Sequence, residues 1–276
     1  MLPVDQQTIL ITGATSGLGR AIAFELASRG ATLLLHGRSK EKGADLLAEI
    51  RAKTGNGNLT YLLADFARLS DVHRLAEEVA GRDQLHALVN NAGIGNVDRE
   101  DSHDGYELTF QVDYLAGYVL SARLTPLLLR SAPARIVNVS SAGQAPVDFD
   151  DPLLTRDYDG VTAYCQAKLA QILSAFDFAE TLDGRGVTAN ALHPASYMPT
   201  NMVVGRFTPM STIAEGMNNT VRLIVDPKLE GVTGRFYDQS VESRAASQAY
   251  DATARARLRV LSEKLTGVPF PTGLPA

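Results

Sequence analysis

Hydrophobic positions follow two patterns that alternate along the whole chain. Short runs in which nearly every residue is apolar alternate with longer segments whose apolar residues recur at helical spacing. The short runs predict seven β-strands, at residues 8–12, 32–36, 59–64, 87–90, 135–139, 188–193 and 235–238. The longer segments predict seven helices, near residues 18–29, 40–53, 70–80, 107–130, 162–182, 211–225 and 245–265.

This order of elements predicts the class of fold. Strands that are apolar on both faces, with helices of about ten or more residues between them, are typical of a parallel sheet covered on both sides. Right-handed crossovers then give a doubly wound α/β sheet of the Rossmann type, which binds ligands at the carboxyl ends of its strands. No linker, repeat or low-complexity tract divides the chain, so residues 1–276 are expected to form a single domain.

Composition and charge narrow the classes of function. The net charge of -5 gives no reason to expect nucleic acid or an anionic membrane as a partner. The single cysteine, Cys165, excludes an internal disulfide and a cysteine-clustered metal site, and the five histidines show no metal spacing. Neither a signal peptide nor an apolar run of about 20 residues is recognisable. We therefore expect a cytoplasmic protein without a membrane span.

A glycine-rich turn follows the first strand, in the sequence TGATSGLG at 12–19. Its three glycines let the backbone approach a bulky anion, and the next helix presents unpaired N–H groups there. The spacing is G-x-x-x-G-x-G, and no lysine follows, which disfavours a Walker-type phosphate site. The turn predicts a cradle for a dinucleotide pyrophosphate, formed by Gly13, Thr15, Ser16, Gly17, Leu18 and Gly19.

The ends of the second and third strands predict the adenosine side of this site. An acidic residue at 36–38 would favour NAD, whereas Arg38 suits the 2′-phosphate of NADP. The alternative is that Arg38 is only a solvated loop charge. Asp65, followed by Phe66, is placed to accept from an adenine amino group, and its alternative role is helix capping, for which Ser70 is better placed.

Tyr164 and Lys168 lie four residues apart on the predicted helix 162–182 and therefore share one face. A phenol with a reference pKa of ~10 is a poor base at neutral pH, but a nearby ammonium group favours the phenolate. The pair is then either a surface pair of side chains that adds little to stability or an acid/base centre.

Taken in order, five motifs resemble the short-chain dehydrogenase/reductase family over nearly the whole chain. They are TGATSGLG at 12–19, NNAG at 90–93, VNVSS at 137–141, YCQAK at 164–168 and LHPASYMPT at 192–200. The branch that contains retinol dehydrogenases and protochlorophyllide-reductase-like enzymes is the most similar. The resemblance implies hydride transfer between NADP(H), or less favourably NAD(H), and the carbonyl or alcohol of a small or medium apolar substrate.

The resemblance also implies roles for single residues. Tyr164 would be the general acid/base, and Lys168 would assist it and hydrogen-bond the nicotinamide ribose. Ser141 would steady the substrate oxygen, with Ser140 as the alternative. The remaining contacts to the cofactor would come from Asn91, Ala92, Gly93, Pro194 and Thr200.

The chain departs from the family pattern at three positions. Asp113 stands where the family commonly has an asparagine that holds the catalytic lysine through a water. Its carboxylate could pair with Lys168 and counteract the help given to the phenol. Ala195 replaces a glycine, and Thr200 lies one residue further on than the family threonine. We keep Asp113 among the catalytic residues.

Two long segments are the expected source of substrate specificity. The acidic segment 143–160 is either a substrate-facing flap that favours a cationic group or an ordinary solvated loop. Segment 196–210 is expected to form an apolar lid from Met198, Met202, Val203, Val204 and Phe207. His193 and Cys165 are expected to be packed structural residues.

Two other functions stay open on the sequence. A nucleotide-binding regulator or scaffold with weak or no turnover is favoured by Asp113. An isomerase or lyase with a tightly held cofactor is disfavoured, because few residues remain for a substrate domain after Thr200. The resemblance further implies a homodimer or homotetramer, associated through the helices at 107–130 and 162–182.

Overall fold

The computed structural model describes residues 2–273 and contains one eight-stranded sheet. The strand order is β3-β2-β1-β4-β5-β6-β7-β8, and every neighbouring pair is parallel except β7 and β8. The strands are β1 (Thr8–Ile11), β2 (Thr32–Gly37), β3 (Leu59–Leu63), β4 (Ala87–Asn90), β5 (Ala134–Val139), β6 (Val187–His193), β7 (Phe236–Asp238) and β8 (Val241–Ser243). The predicted doubly wound α/β sheet is confirmed.

Seven α-helices cover the sheet. They are α1 (Gly17–Ser28), α2 (Lys40–Thr54), α3 (Leu69–Ala80), α4 (Ala116–Arg130), α5 (Gly160–Thr181), α6 (Ile213–Val225) and α7 (Ala252–Thr266). Short 3-10 turns lie at Val4–Gln6, Pro227–Leu229 and Ser247–Tyr250, and a π-helical turn at Phe110–Leu115 leads into α4. None of the helices in the described part of the chain is both long and apolar enough to cross a membrane.

The alternation of side chains along the central strands produces two hydrophobic layers. Leu10 packs with α3, α4, α5 and α7 on one face, whereas Ile9 and Ile11 pack with α1, α2 and α6 on the other. All three side chains are completely buried. Because both faces of β1 are covered, its sequence is a continuous run of apolar residues rather than an alternation of apolar and polar ones.

One strand of the structure was not predicted, and two of the predicted helices are divided. Strand β8 was missed because Val241–Ser243 is only three residues long and mostly exposed. The predicted helix 107–130 is divided into a π-helical turn and α4, and the predicted helix 245–265 into a 3-10 turn and α7. Asp251 separates the last two, because its side chain accepts the N–H of Thr253 and caps α7.

The outer faces of α4 and α5 are covered by the chain's own C-terminal segment, residues 244–270. Two nitrogens of the Arg259 guanidinium donate to the Asp177 carboxylate at 2.9 and 2.6 Å. Phe270 packs on Phe178, with 4.7 Å between ring centroids. Association of copies through these two helices stays a prediction, and on this face it would first require displacement of the segment.

Candidate active site

The glycine turn lies at the point where the strand order reverses, because β1 is flanked by β2 on one side and β4 on the other. Gly13 has a φ of +66°, and a Cβ there would approach the Cα of Ala92 to 2.9 Å. A Cβ at Gly19 would overlap the carbonyl oxygen of Gly13 and lie 2.5 Å from the Asn91 side-chain amide. The turn can therefore be built only with glycine at these two positions.

Residues that follow β4 hold this turn in place by hydrogen bonds. The Asn91 side-chain amide donates to the carbonyl of Thr12 at 2.8 Å. The backbone N–H groups of Asn91 and Ala92 both donate to the Thr12 hydroxyl oxygen at 2.9 Å. The predicted residues Asn91 and Ala92 thus lie beside the glycine turn and hold it in place.

The N-terminus of α1 faces the same turn. Ser16 occupies the N-cap position, but its side chain makes no capping bond, so it leaves the first-turn N–H groups to a ligand. Leu18 is buried in the core next to α6. The Thr200 methyl lies 3.1 Å from where a Cβ of Gly17 would be, so segment 196–210 reaches back over the turn. Pro194 is buried and accepts a hydrogen bond at its carbonyl from Asn219.

His36 is a site residue that the sequence reasoning missed. Its Nδ1 accepts the backbone N–H of Gly13 at 3.2 Å, and its Nε2 lies 3.1 Å from the carbonyl of Ala64, to which it donates. Its ring stacks on Phe66, with 4.0 Å between centroids and 9° between planes. The neutral imidazole therefore links the glycine turn to the ends of β2 and β3. A polar residue ending an otherwise apolar strand was the available signal.

Burial lowers the pKa of His36 from 6.5 to about 4, against weaker opposing effects of Ala64 and Asp65. The unfolded chain therefore binds this proton first as pH falls. We expect the free energy of unfolding to decrease between about pH 6.5 and about pH 4, by about 3 kcal/mol from this residue. His36→Gln removes the titrating group and should flatten this part of the profile.

Urea unfolding at a series of pH values measures this effect. His103→Gln, which removes an exposed histidine, is the control and should keep the wild-type slope. A His36→Gln profile as steep as that of the wild type between these pH values would show that His36 does not titrate as inferred.

The end of β2 places Arg38 on the surface. Its side chain is exposed, and among residues 2–273 no ion pair with it is found. Ser39 beside it caps α2 by accepting the N–H of Lys42. Thr15 lies across the turn, with its methyl 2.7 Å from where a Cβ of Gly37 would be. An unpaired cation thus lies close to the glycine turn.

Asp65 follows β3, and its Oδ1 accepts the N–H of Ala67 at 3.0 Å, which closes a local turn. The prediction that Ser70 caps the next helix is wrong, because α3 begins at Leu69 and Ser70 lies in its first turn. The N–H of Leu69 is instead satisfied by the Asp104 carboxylate at 2.8 Å. Asp104 lies 35 residues further along the chain, so no local pattern could have indicated it.

Tyr164 and Lys168 lie on the second and third turns of α5, which begins where Asp159 accepts the N–H of Thr162. The Lys168 Nζ lies 5.4 Å from the centroid of the Tyr164 ring. Tyr164 is half-buried, whereas Lys168 is buried. The two side chains therefore share a face that opens towards the carboxyl ends of β4 and β5.

The two serines after β5 have different surroundings. The Ser140 hydroxyl donates to the carbonyl of Lys168 at 2.7 Å and is engaged in holding α5. The Ser141 hydroxyl accepts the N–H of Gly143 at 3.0 Å, which leaves its own hydrogen for a further acceptor. A Cβ at Gly143 would lie 3.5 Å from the Ser141 hydroxyl and 4.0 Å from the Tyr164 ring. This geometry favours Ser141 over Ser140 as the serine beside the phenol.

Asp113 lies on the π-helical turn and makes a buried ion pair with Lys168, with 3.1 Å between Oδ2 and Nζ. Its Oδ1 accepts the N–H of Ile94 at 2.7 Å. Burial raises the pKa of Asp113, and the adjacent ammonium opposes this rise. Burial lowers the pKa of Lys168, but the charges of Asp113 and Tyr164 outweigh it, so that the net shift is upward.

Gly93 leaves the space that this pair needs. A Cβ at Gly93 would lie 2.9 Å from Asp113 Oδ2 and 3.2 Å from Lys168 Nζ. Lys168 also donates to the carbonyl of Val139 and to the side-chain oxygen of Gln171, each at 3.3 Å. Two hydrogen bonds within the protein and the ion pair with Asp113 therefore hold the ammonium group in place.

The two specificity segments differ in their relation to Tyr164. In 143–160, the Asp151 carboxylate accepts from the backbone and hydroxyl of Thr155, and these bonds lower its pKa. This favours the ordinary-loop interpretation, at least for Asp151. In 196–210, Met202 lies 3.5 Å and the Tyr164 ring 3.9 Å from where a Cβ of Gly95 would be.

The remaining predicted lid residues divide into two groups. Met198 packs beside α6, and Val203 is buried, so both side chains pack against the protein beneath the segment. Val204 and Phe207 are exposed by 61% and 50%. Of the five residues predicted to form an apolar lid, Met202 is the one that the structure places beside Tyr164.

Neither His193 nor Cys165 shows the features of a catalytic group. Burial lowers the pKa of His193, whose Nε2 lies 3.0 Å from the Ser196 hydroxyl. Burial raises the pKa of the Cys165 thiol, which disfavours the thiolate. In the described part of the chain, no group of three or more His, Cys, Asp or Glu residues is arranged to hold a metal ion.

Comparison with known proteins agrees with this arrangement. A model of the family described as short chain dehydrogenase matches residues 7–210. Retinol dehydrogenase 13 of Mus musculus is 32% identical to the chain over 294 residues, which cover 99% of the chain and 87% of that protein. The resemblance to the retinol dehydrogenase branch is confirmed.

Solved structures show the same fold. An uncharacterised protein from Mycobacterium paratuberculosis has a TM-score of 0.79 and 29% identity, and the match covers 96% of this chain and 95% of that one. A short-chain dehydrogenase from Shigella flexneri, solved with NADP, has a TM-score of 0.70 and 25% identity, covering 85% and 97%. The chain therefore belongs to the short-chain dehydrogenase/reductase family and is an enzyme of that family.

Proposed function

We propose that this enzyme transfers a hydride between NADP(H) and the carbonyl or alcohol of a small or medium apolar molecule, with Tyr164 as the general acid/base. The observation that carries the proposal is the position of the buried Lys168 ammonium, 5.4 Å from the Tyr164 ring, at the same sheet edge as the glycine turn. A buried cation beside a phenol is suited to proton exchange with a reacting oxygen.

The residues present fit a dinucleotide. The turn excludes a Cβ at Gly13 and Gly19, the N-terminus of α1 has no side-chain cap, and Arg38 is exposed beside it. We assign the pyrophosphate to the glycine turn and the 2′-phosphate to Arg38. NADP in the Shigella flexneri structure supports this choice.

The protein residues move one proton at the reacting centre. A bound nicotinamide cofactor would supply the hydride in reduction and accept it in oxidation. In reduction, the carbonyl carbon gains the hydride and its π electrons pass to the oxygen, which takes the proton of the Tyr164 hydroxyl. The Ser141 hydroxyl donates to the same oxygen as charge develops there. Oxidation follows the reverse course, and the alcohol proton returns to Tyr164.

The apolar substrate class is supported by the surroundings of Tyr164. Met202 lies on the side of Tyr164 that faces Gly95, and the adjacent Val203 is buried. Retinol dehydrogenase 13, by its name, acts on an apolar alcohol. The cytoplasmic location expected from the sequence stays a prediction.

Spectrophotometric assays of the purified protein test the function. A panel of apolar aldehydes and ketones with NADPH, and of the matching alcohols with NADP⁺, should show a change in absorbance of the reduced nicotinamide. Binding of NADPH without turnover of any compound would instead favour a nucleotide-binding regulator.

Arg38→Ala should weaken the binding of NADPH about 10- to 100-fold and that of NADH by less than about threefold. The reason is that a charge-assisted hydrogen bond to the 2′-phosphate contributes roughly 1.5–3 kcal/mol, and NADH lacks that phosphate. Titration calorimetry with both cofactors measures the two losses. Arg51→Ala, which removes an exposed cation at the other end of α2, is the control. Equal losses for both cofactors would exclude the assigned contact.

A further inference from the structure

The ion pair between Asp113 and Lys168 lies deeper than Tyr164. The exposed fraction of the side chain is 0% for Asp113 and 5% for Lys168. The main-chain carbonyl of Asp113 accepts the side-chain amide of Gln171 at 2.8 Å, which ties the π-helical turn to α5. A π-helical turn is uncommon and is frequently found at functional sites. The carboxylate is therefore held in fixed contact with the lysine.

Few other charges face this pair. Tyr164 acts on Lys168 from the same helix, and Glu107 acts on Asp113 from the segment before the π-helical turn. The Glu107 carboxylate accepts the N–H groups of Thr109 and Phe110 at 2.9 and 2.6 Å. Among the described residues, no second cation contacts the Asp113 carboxylate. One ammonium is thus balanced by one carboxylate in contact with it.

We propose that Asp113 is a positioning residue that balances the charge of Lys168 and weakens the effect of this ammonium on Tyr164, so that the active site is adapted to carbonyl reduction. This inference rests on the proposed function. A lone buried ammonium would favour the phenolate, which is the form that oxidation requires. With a carboxylate 3.1 Å away, the ammonium and the carboxylate act on the phenol together as a dipole. The field of this dipole at the phenol is weaker than the field of a lone ammonium.

Asp113→Asn is the direct test, because the amide keeps the shape and an oxygen to accept the N–H of Ile94, but removes the charge. We expect the pH at which kcat for alcohol oxidation reaches half its plateau to fall by about one unit or more. The pH above which kcat for reduction declines should also fall. In the protein without cofactor, the ultraviolet absorbance of the phenolate, taken as the difference from Tyr164→Phe, should appear at correspondingly lower pH.

Asp177→Asn is the matched control. It removes a buried carboxylate from the same helix, roughly 20 Å beyond Tyr164, where Asp177 pairs with Arg259. Its pH profiles should coincide with those of the wild type, even if its stability falls. Unmoved profiles in Asp113→Asn, or equal shifts in both variants, would overturn the proposal.

The phenolate titration also separates this inference from the proposed function. If the wild type turns over no carbonyl or alcohol, the function is refuted, but the titration of the unliganded protein still reports the charge balance. A shift confined to Asp113→Asn supports the role of Asp113, and its absence overturns it.

Discussion

Tyr164→Phe is expected to lower kcat for both directions by about 10²- to 10⁴-fold, which is the usual contribution of a positioned general acid or base. The substitution removes only the hydroxyl, and among residues 2–273 that hydroxyl has no hydrogen-bond partner whose loss would disturb the fold. The affinity for NADPH should therefore change by less than about tenfold. Steady-state kinetics at several pH values, together with titration calorimetry, measure both quantities.

Tyr250→Phe is the control for this prediction, because Tyr250 lies in the C-terminal segment and its oxygen accepts the N–H of Ala245. It should keep kcat within about threefold of the wild type. If Tyr164→Phe retained full turnover, the proton would have to come from another group, and the Ser141 hydroxyl would be the first to test.

The sheet was predictable because its central strands are buried on both faces. A strand such as β1, whose Ile9, Leu10 and Ile11 are fully buried, cannot be mistaken for a surface segment. The edge strand β8 lacks this signal, since Val241 and Glu242 are exposed. The π-helical turn before α4 has the same apolar spacing as the helix it precedes, so the pattern did not separate them.

In the candidate site, the parts that depend on local spacing were predicted and the parts that depend on distant contacts were not. The glycine turn and the spacing of Tyr164 and Lys168 are visible within eight residues or fewer. The bonds of His36 to Gly13 and Ala64 span 23 and 28 residues, and only the folded sheet brings them together. The same holds for Asp104, which replaces the predicted cap Ser70.

The sequence indicated Asp113 as a departure and raised the possibility of its pairing with Lys168, but it could not show that the two groups meet. Whether this carboxylate contacts Lys168 depends on the crossing of the π-helical turn and α5, which residue spacing does not fix. The structure provides the contact at 3.1 Å and the absence of a side chain at Gly93 that makes room for it.

Lys168→Met is expected to lower the free energy of unfolding by about 3–5 kcal/mol at neutral pH, because it leaves the buried Asp113 carboxylate without its cation. Burial then raises the pKa of Asp113 in the folded variant above its unfolded value, with no ammonium to oppose it. The folded state of the variant therefore holds this proton more tightly. The loss of stability should be largest at high pH and should diminish as pH falls and Asp113 is protonated.

The double variant Lys168→Met with Asp113→Asn distinguishes the charge from the packing. It removes both charges, so most of the lost stability should return, while turnover should stay as low as in Lys168→Met because the phenol still lacks its ammonium group. Urea unfolding of the four proteins, from wild type to double variant, gives the coupling energy of the pair. If the double variant were as unstable as Lys168→Met, the loss would instead come from the bonds of Lys168 to Val139 and Gln171. Recovered stability without recovered turnover would show that the loss of stability comes from the unbalanced buried charge, whereas turnover requires the ammonium group itself.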